Sequence, residues 1–218
     1  MPELSQIIAA TINEWNNPFV ERAIFGTADP IQIAEHLNAF CQSELGSSIA
    51  EGLFYKQSQG AVFGLTLKDD RRIAVKAYQP KWSLNFLDAI YHIQSHLANC
   101  NYPCPRPIIA PKPLGRGHAI VMELIDVGTY ADAHDPAIRH AMAGLLFLLV
   151  DLTKDFRNLP GLQSSILNRL PKGVLWPTPH SNIFDFEATA AGAEWIDNLA
   201  RQARQTLQNA AGQFVIGH

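Results

Sequence analysis

Between Leu53 and Tyr78 the chain runs through three segments of period two, parted by turns too short to hold any other element. Leu53 to Ser58 reads as a strand, Ser58-Gln59-Gly60 as a turn and Ala61 to Leu67 as a second strand. Asp69-Asp70 turns the chain again, and Arg72 to Tyr78 makes a third strand before Pro80 closes the run. Alternation at every second residue is the mark of a strand with two unlike faces. Connections this short force neighbouring strands to pair antiparallel. Any fold open to this chain must therefore contain an antiparallel meander.

Helices flank it. Leu4, Ile7, Ile8, Thr11, Ile12 and Trp15 share one helical stripe that Asn16-Asn17-Pro18 ends. Asp29 is placed to cap a second helix with Pro30 at its first position, and Leu45-Gly46 stops it. After the meander, Ser83 to about Asn99 places Leu87, Ile90, Ile93 and Leu97 on one side. Tyr102-Pro103-Cys104-Pro105 is extended, and Ile108 to Leu114 and His118 to Ile125 read as two more strands around Gly115-Arg116-Gly117. Asp135-Pro136 opens an apolar helix to about Asp155, Pro160 to Pro179 is irregular, Ala188 to Ala211 is helical, and Phe214 to His218 reads as a strand entering a loop. Helices, then a sheet interrupted by one helix, then helices is an α+β order and not a succession of βαβ units.

Composition narrows the function. A length of 218 residues gives one to two domains at about 150 residues each. Net charge of −3 leaves no electrostatic footprint for nucleic acid. The ten-residue apolar run from Ala141 to Val150 falls short of the roughly 20 residues a membrane span needs, so no membrane partner is expected. Cys41, Cys100 and Cys104 are too few for a disulfide framework, and no basic-then-apolar leader opens the chain, so a cytoplasmic location is expected. Charged residues are only 17%, below the usual 25% or so, which leaves apolar surface through which the chain is expected to self-associate. His92, His96 and Cys100 share a helical stripe, but i to i+8 spans roughly 12 Å, too far for one tetrahedral zinc.

The chemistry centres on the third strand, Ile73-Ala74-Val75-Lys76. Alternation places Ala74, Lys76 and Tyr78 on one face. A mid-strand lysine is costly to bury without an anion, and the small alanine two residues earlier leaves room for a flat ring. Together they suit a nucleotide, with its base over Ala74 and its phosphates on Lys76. A glycine-bearing hairpin precedes this strand, a helix follows it, and Val121-Met122-Glu123-Leu124-Ile125-Asp126 comes after two further segments.

That order resembles the N-terminal lobe of the protein-kinase-like fold, and most closely the aminoglycoside phosphotransferase and related small-molecule kinase family. Tyr102-Pro103-Cys104-Pro105 is similar to that family's segment after helix C, Met122-Glu123-Leu124-Ile125 to its hinge, and Ile216-Gly217-His218 to the opening of its catalytic loop. The resemblance implies residues 1–125 as the nucleotide-binding lobe and 126–218 as a partial, mainly helical C-terminal lobe. It implies ATP and Mg²⁺ as cofactors and a small-molecule hydroxyl, of unread identity, as acceptor.

By position, Lys76 would pair the α and β phosphates, and the backbone from Ser58 through Gly60 to Ala61 would cover them. Val62 and Ala74 would sandwich the adenine, with Met122 behind it. The Glu123 carbonyl and Ile125 amide would bond the base edge. The family's helix C offers a glutamate to orient the lysine. This helix has none; its only acid is Asp88, about one turn early, and Gln94 stands as an uncharged substitute, so the resemblance leaves the lysine's partner open. The family's catalytic aspartate and its metal-binding asparagine and aspartate follow the glycine-histidine pair. The resemblance thus implies a chain cut at the threshold of its catalytic loop, binding nucleotide weakly and without turnover. A non-catalytic binding or scaffold protein using the same lobe is the alternative expectation, and an unrelated α+β protein with a surface lysine is the third.

Overall fold

The computed structural model describes residues 2–162, 174–176, 191–209 and 215–216. The chain divides into two compact units, Met1–Leu162 with Val215–His218, and Gln163–Phe214. In the first, helices α1 (Pro2–Trp15), α2 (Phe19–Phe25) and α3 (Pro30–Leu45) precede strands β1 (Ile49–Gln57), β2 (Gly60–Leu67) and β3 (Arg72–Tyr78). Helix α4 (Leu84–Asn99), β4 (Pro107–Leu114), β5 (Gly117–Glu123) and α5 (Pro136–Leu152) follow. A 3-10 turn at Lys154–Phe156 comes after α5. The five strands form one antiparallel sheet in the order β1-β2-β3-β5-β4. The α+β class expected from the sequence is the architecture observed.

Each strand buries one face under the N-terminal helices. Tyr55, Ala61, Phe63, Leu65, Ile73, Val75, Ala77, Ala119 and Val121 meet Leu4, Ile8, Ile24, Phe25, Ile33 and Leu37 in the main core. Helix α1 lies on β1, α2 on β2 and β5, and α3 against β4. The capping read from Asp29 holds: its side chain accepts from the Ile31 amide at 2.9 Å, with Pro30 following. Asp29→Ala is expected to cost about 1 kcal/mol, seen as a lower denaturant midpoint at unchanged slope.

Three sequence expectations change. Helix α2 is absent from the pattern reading, which runs the chain from Asn16-Asn17-Pro18 straight to Asp29. Seven residues are too few to stand alone as a helix, so α2 exists because Val20, Ile24 and Phe25 are buried against the sheet. Strand β1 starts at Ile49 and not Leu53, because irregularities between Ile49 and Glu51 and between Gly52 and Phe54 break the alternation there. Helix α5 stops at Leu152, and Val215 and Ile216 carry no strand. The rest of the expected terminal strand, and the glycine-histidine pair at 217–218, lie outside the described residues.

Two contacts set the sheet's ends. The β4–β5 turn docks on α2, where the Arg116 amide donates to the Ile24 carbonyl at 2.6 Å. Gly115 has φ +60° there, and a Cβ would meet the Ile24 carbonyl at 2.4 Å, so only glycine fits. Helix α4 meets α5 through Ile93, Leu97 and Leu149, with His96 Nε2 3.1 Å from the Leu152 carbonyl. Otherwise α5 keeps Met142, Leu146 and Phe147 exposed.

In the second unit, α6 (Glu194–Asn209) covers the described part of the helix expected over 188–211. The Trp176 indole nitrogen donates to Asp197 at 2.7 Å, and Arg204 donates to the Val174 carbonyl. Among the described residues no helix is long and apolar enough to cross a membrane.

Candidate functional site

The sheet face opposite α1–α3 carries the polar chemistry. Directly paired residues of antiparallel strands share a face, so rows can be read straight across it. One row is Phe54, Gly64, Ala74 and Met122, the next is Lys56, Val62, Lys76 and Ile120, and a third holds Gly60, Tyr78 and His118. The first row is apolar and low. A Cβ on Gly64 would lie 2.3 Å from the Phe54 ring, so that ring lies across the glycine. Leu87, Ile90 and Tyr91 of α4 pack with Ala74, Ile120 and Met122. At the β1–β2 end Lys56 is exposed, and Phe54 and Val62 are half-buried.

Lys76 sits in the middle of this face between Val62 and Ile120. Its side chain is open to solvent, yet the neighbouring atoms strip part of its hydration, and that desolvation lowers its pKa. Its ammonium lies 5.2 Å from the centre of the Tyr78 ring, within cation–π range. Burial pushes the Tyr78 phenol up to about 12, so the ring stays neutral. Among the described residues no carboxylate pairs with Lys76.

The helix α4 side chains do not fill that role. Asp88 is half-buried and makes no hydrogen bond or ion pair among the described residues. Gln94 turns elsewhere: its amide nitrogen donates to the Pro105 carbonyl at 2.8 Å and lies 3.8 Å from Met122 Sδ. It braces Met122 at the back of the apolar row, which also carries the segment Pro103 to Pro107 against α4.

The β1–β2 hairpin is self-contained. The Ser58 amide donates to the Gly60 carbonyl at 2.9 Å, and the Gln59 amide to Ser58 Oγ at 2.5 Å. The Gln59 carbonyl accepts from the buried Gln79 side chain at 2.7 Å, which clamps the tip to the end of β3. A Cβ on Gly60 would come 2.6 Å from the Ala77 carbonyl, so the backbones meet closely there. Two of the amides expected to cover phosphates are thus already engaged. Ala61 points into the main core on the other face, so only its backbone is near the site.

After β5 the chain leaves the sheet. The Glu123 amide donates to the Arg106 carbonyl at 2.9 Å, and the Leu124 amide to the Arg72 carbonyl at 3.4 Å. Arg72 also pairs with Asp126, fixing the segment beside the start of β3. The Ile125 amide has no partner among the described residues, and Ile125 is exposed.

The structure therefore brings Gly60, Val62, Ala74, Lys76 and Met122 onto one face and leaves Glu123 and Ile125 at its rim. Ser58 stands at the hairpin tip, and Asp88 lies on α4. Phe54, Lys56 and Gln79 join this site without any sequence motif. The signal that could have found Phe54 and Lys56 was the register set by the short β1–β2 turn, which is regular from Phe54 to Gln57 because the bulges in β1 lie before it. Among the described residues no three metal-ligating side chains gather, so no residue here is assigned to holding Mg²⁺. No family model matches the chain, and no curated protein matches it.

Proposed function

We propose that this chain carries the nucleotide-binding lobe of a protein-kinase-like phosphotransferase of the aminoglycoside phosphotransferase type, using ATP with Mg²⁺ to phosphorylate a small-molecule hydroxyl. The observation that carries the reading is Lys76, an open lysine in mid-sheet with no carboxylate partner among the described residues, set beside the flat row of Ala74 and Met122. Three further features support it. Along the chain the β1–β2 hairpin, the lysine strand β3, helix α4 and then β4 and β5 follow one another, the element order on which the resemblance rests. The base would lie on the apolar row. The free Ile125 amide stands at the row's end, ready to donate to a ring nitrogen.

In this reading Lys76 binds and orients the phosphate chain, and the apolar row excludes water from the base. Phosphoryl transfer of this kind depends chiefly on positioning and on neutralising charge over the transferred group. Calorimetric titration of ATP with Mg²⁺ tests it. Binding is expected, and Lys76→Ala is expected to weaken it by tenfold or more, because one charge-assisted hydrogen bond contributes about 1.5–3 kcal/mol. Adenosine should bind the variant as it binds the parent chain. Equal ATP affinity in both chains would remove Lys76 from the site and sink the reading.

A second reading, a non-catalytic binding or scaffold lobe, is favoured by one arrangement. Gln94 braces Met122 and Pro105 instead of orienting Lys76. The same titration separates the two, since a scaffold lobe without nucleotide function gives no ATP heat.

A further inference from the structure

The row next to the apolar one holds a second lysine. Lys56 of β1 pairs with Val62 of β2, which pairs with Lys76 of β3, so both ammonium groups rise from the same face. Two strand spacings separate their backbones by about 9.6 Å, a gap that two long lysine side chains can close over one anion. The register is regular across this stretch, from Phe54 to Gln57 on β1 and from Gly60 to Thr66 on β2. Neither lysine has an ion-pair partner among the described residues, whereas Lys112 and Lys154 do. Two like charges on one open row repel each other, and an acceptor with several negative oxygens would relieve that.

The hairpin beside them points the same way. Its Ser58 and Gln59 amides are spent inside the turn, and Gln79 holds the turn shut. The Ser58 and Gln59 amides are therefore not free to cradle an anion, and the two lysine side chains are the cationic donors on this row.

The geometry points to a two-lysine clamp: Lys56 and Lys76 together bind the polyphosphate chain of a nucleoside di- or triphosphate, Lys56 taking the phosphates nearer the β1–β2 hairpin. This rests on the nucleotide reading for the ligand's base, but the clamp itself requires only a polyphosphate. It makes Lys56 a second determinant of affinity, acting on charge alone. A monophosphate, too short to engage both lysines, gains from one.

The test uses the full chain with inorganic tripolyphosphate, ATP and adenosine, each titrated at low and high salt, against Lys56→Gln, Lys76→Gln and the control Lys68→Gln. Lys56 and Lys68 are exposed, so neither change threatens folding. Lys56→Gln is expected to weaken ATP and tripolyphosphate about ten- to a hundredfold and to flatten the salt dependence, leaving adenosine unchanged. Lys68→Gln is expected to change none of these. Tripolyphosphate binding that depends on both lysines, without any ATP preference, would keep the clamp and refute the nucleotide reading. ATP binding that Lys76→Gln weakens and Lys56→Gln does not would overturn the clamp alone. Binding of neither ligand would overturn both.

Discussion

Phe63→Ala is expected to lower the unfolding free energy by about 3–5 kcal/mol, enough to unfold a marginal domain of this size at physiological temperature. Phe63 on β2 is fully buried. Its ring stacks on Tyr55 of β1 at 4.6 Å with 6° between planes, and meets Phe25 of α2 edge-on at 6.1 Å. One side chain thus joins two strands to the short helix. Removing it forfeits the transfer free energy of the ring and leaves a cavity that three elements cannot close at once. Phe63→Leu keeps most of the volume and should cost less than half as much. Denaturant unfolding checks both, the midpoint falling at an unchanged slope. Equal losses for the two variants would show that the ring contacts, which both variants lose, carry the effect and the retained volume contributes nothing.

Glu21 yields the second large effect, and its size depends on pH. The side chain is fully buried in α2. The Tyr55 hydroxyl donates to it at 2.5 Å. With the Gln57 amide oriented to satisfy both partners, its nitrogen donates to the two carboxylate oxygens at 2.9 and 3.3 Å. Burial raises the Glu21 pKa above the ordinary carboxylate range, and the Tyr55 hydrogen bond offsets this only in part. Burial raises the Tyr55 phenol as well, so it remains a donor.

A carboxyl with a raised folded-state pKa favours folding fully below its unfolded value, about 4.3. That contribution is lost as pH climbs through the folded value. Glu21→Gln keeps a hydrogen-bonding side chain of the same shape and cannot ionise. The variant should match the parent near pH 4 and become progressively more stable than it as pH rises, then hold a constant advantage. Glu21→Ala should lose about 1–3 kcal/mol near pH 4, because the buried Tyr55 hydroxyl is left without its acceptor, and this deficit should shrink as pH rises, since alanine does not ionise either. Unfolding curves from pH 4 to 8 decide the matter. Parallel stability profiles for the parent chain and Glu21→Gln would mean that the carboxyl titrates normally.

Much of the frame was legible because it is written in local rules. Strand β3 matches its expected bounds from Arg72 to Tyr78, and Ser83 caps α4, accepting from the Phe86 amide. Alternation also put Ala74, Lys76 and Tyr78 together on one face, as observed. The failures are equally physical. No periodicity in seven residues can announce α2, whose stability comes from Ile24 and Phe25 against the sheet. A bulged strand such as β1 conceals where it begins, since its irregularities fall between Ile49 and Phe54. The sequence leaves open whether a carboxylate of α4 pairs with Lys76, and among the described residues none does.

The residues themselves dictate the antiparallel meander, the helices around it and a lysine that no apolar strand would keep without a use. Those follow from backbone sterics, turn length and side-chain period, which act over a few positions. Which side chains stand beside that lysine is another matter. Val62 and Ile120 stand beside it and Lys56 shares its row because pairings between residues 6 to 44 positions apart close the sheet in one register. A shift of one residue in β1 would send Lys56 to the opposite face. Only burial of the core under α1–α3 selects the register that keeps both lysines on the open one.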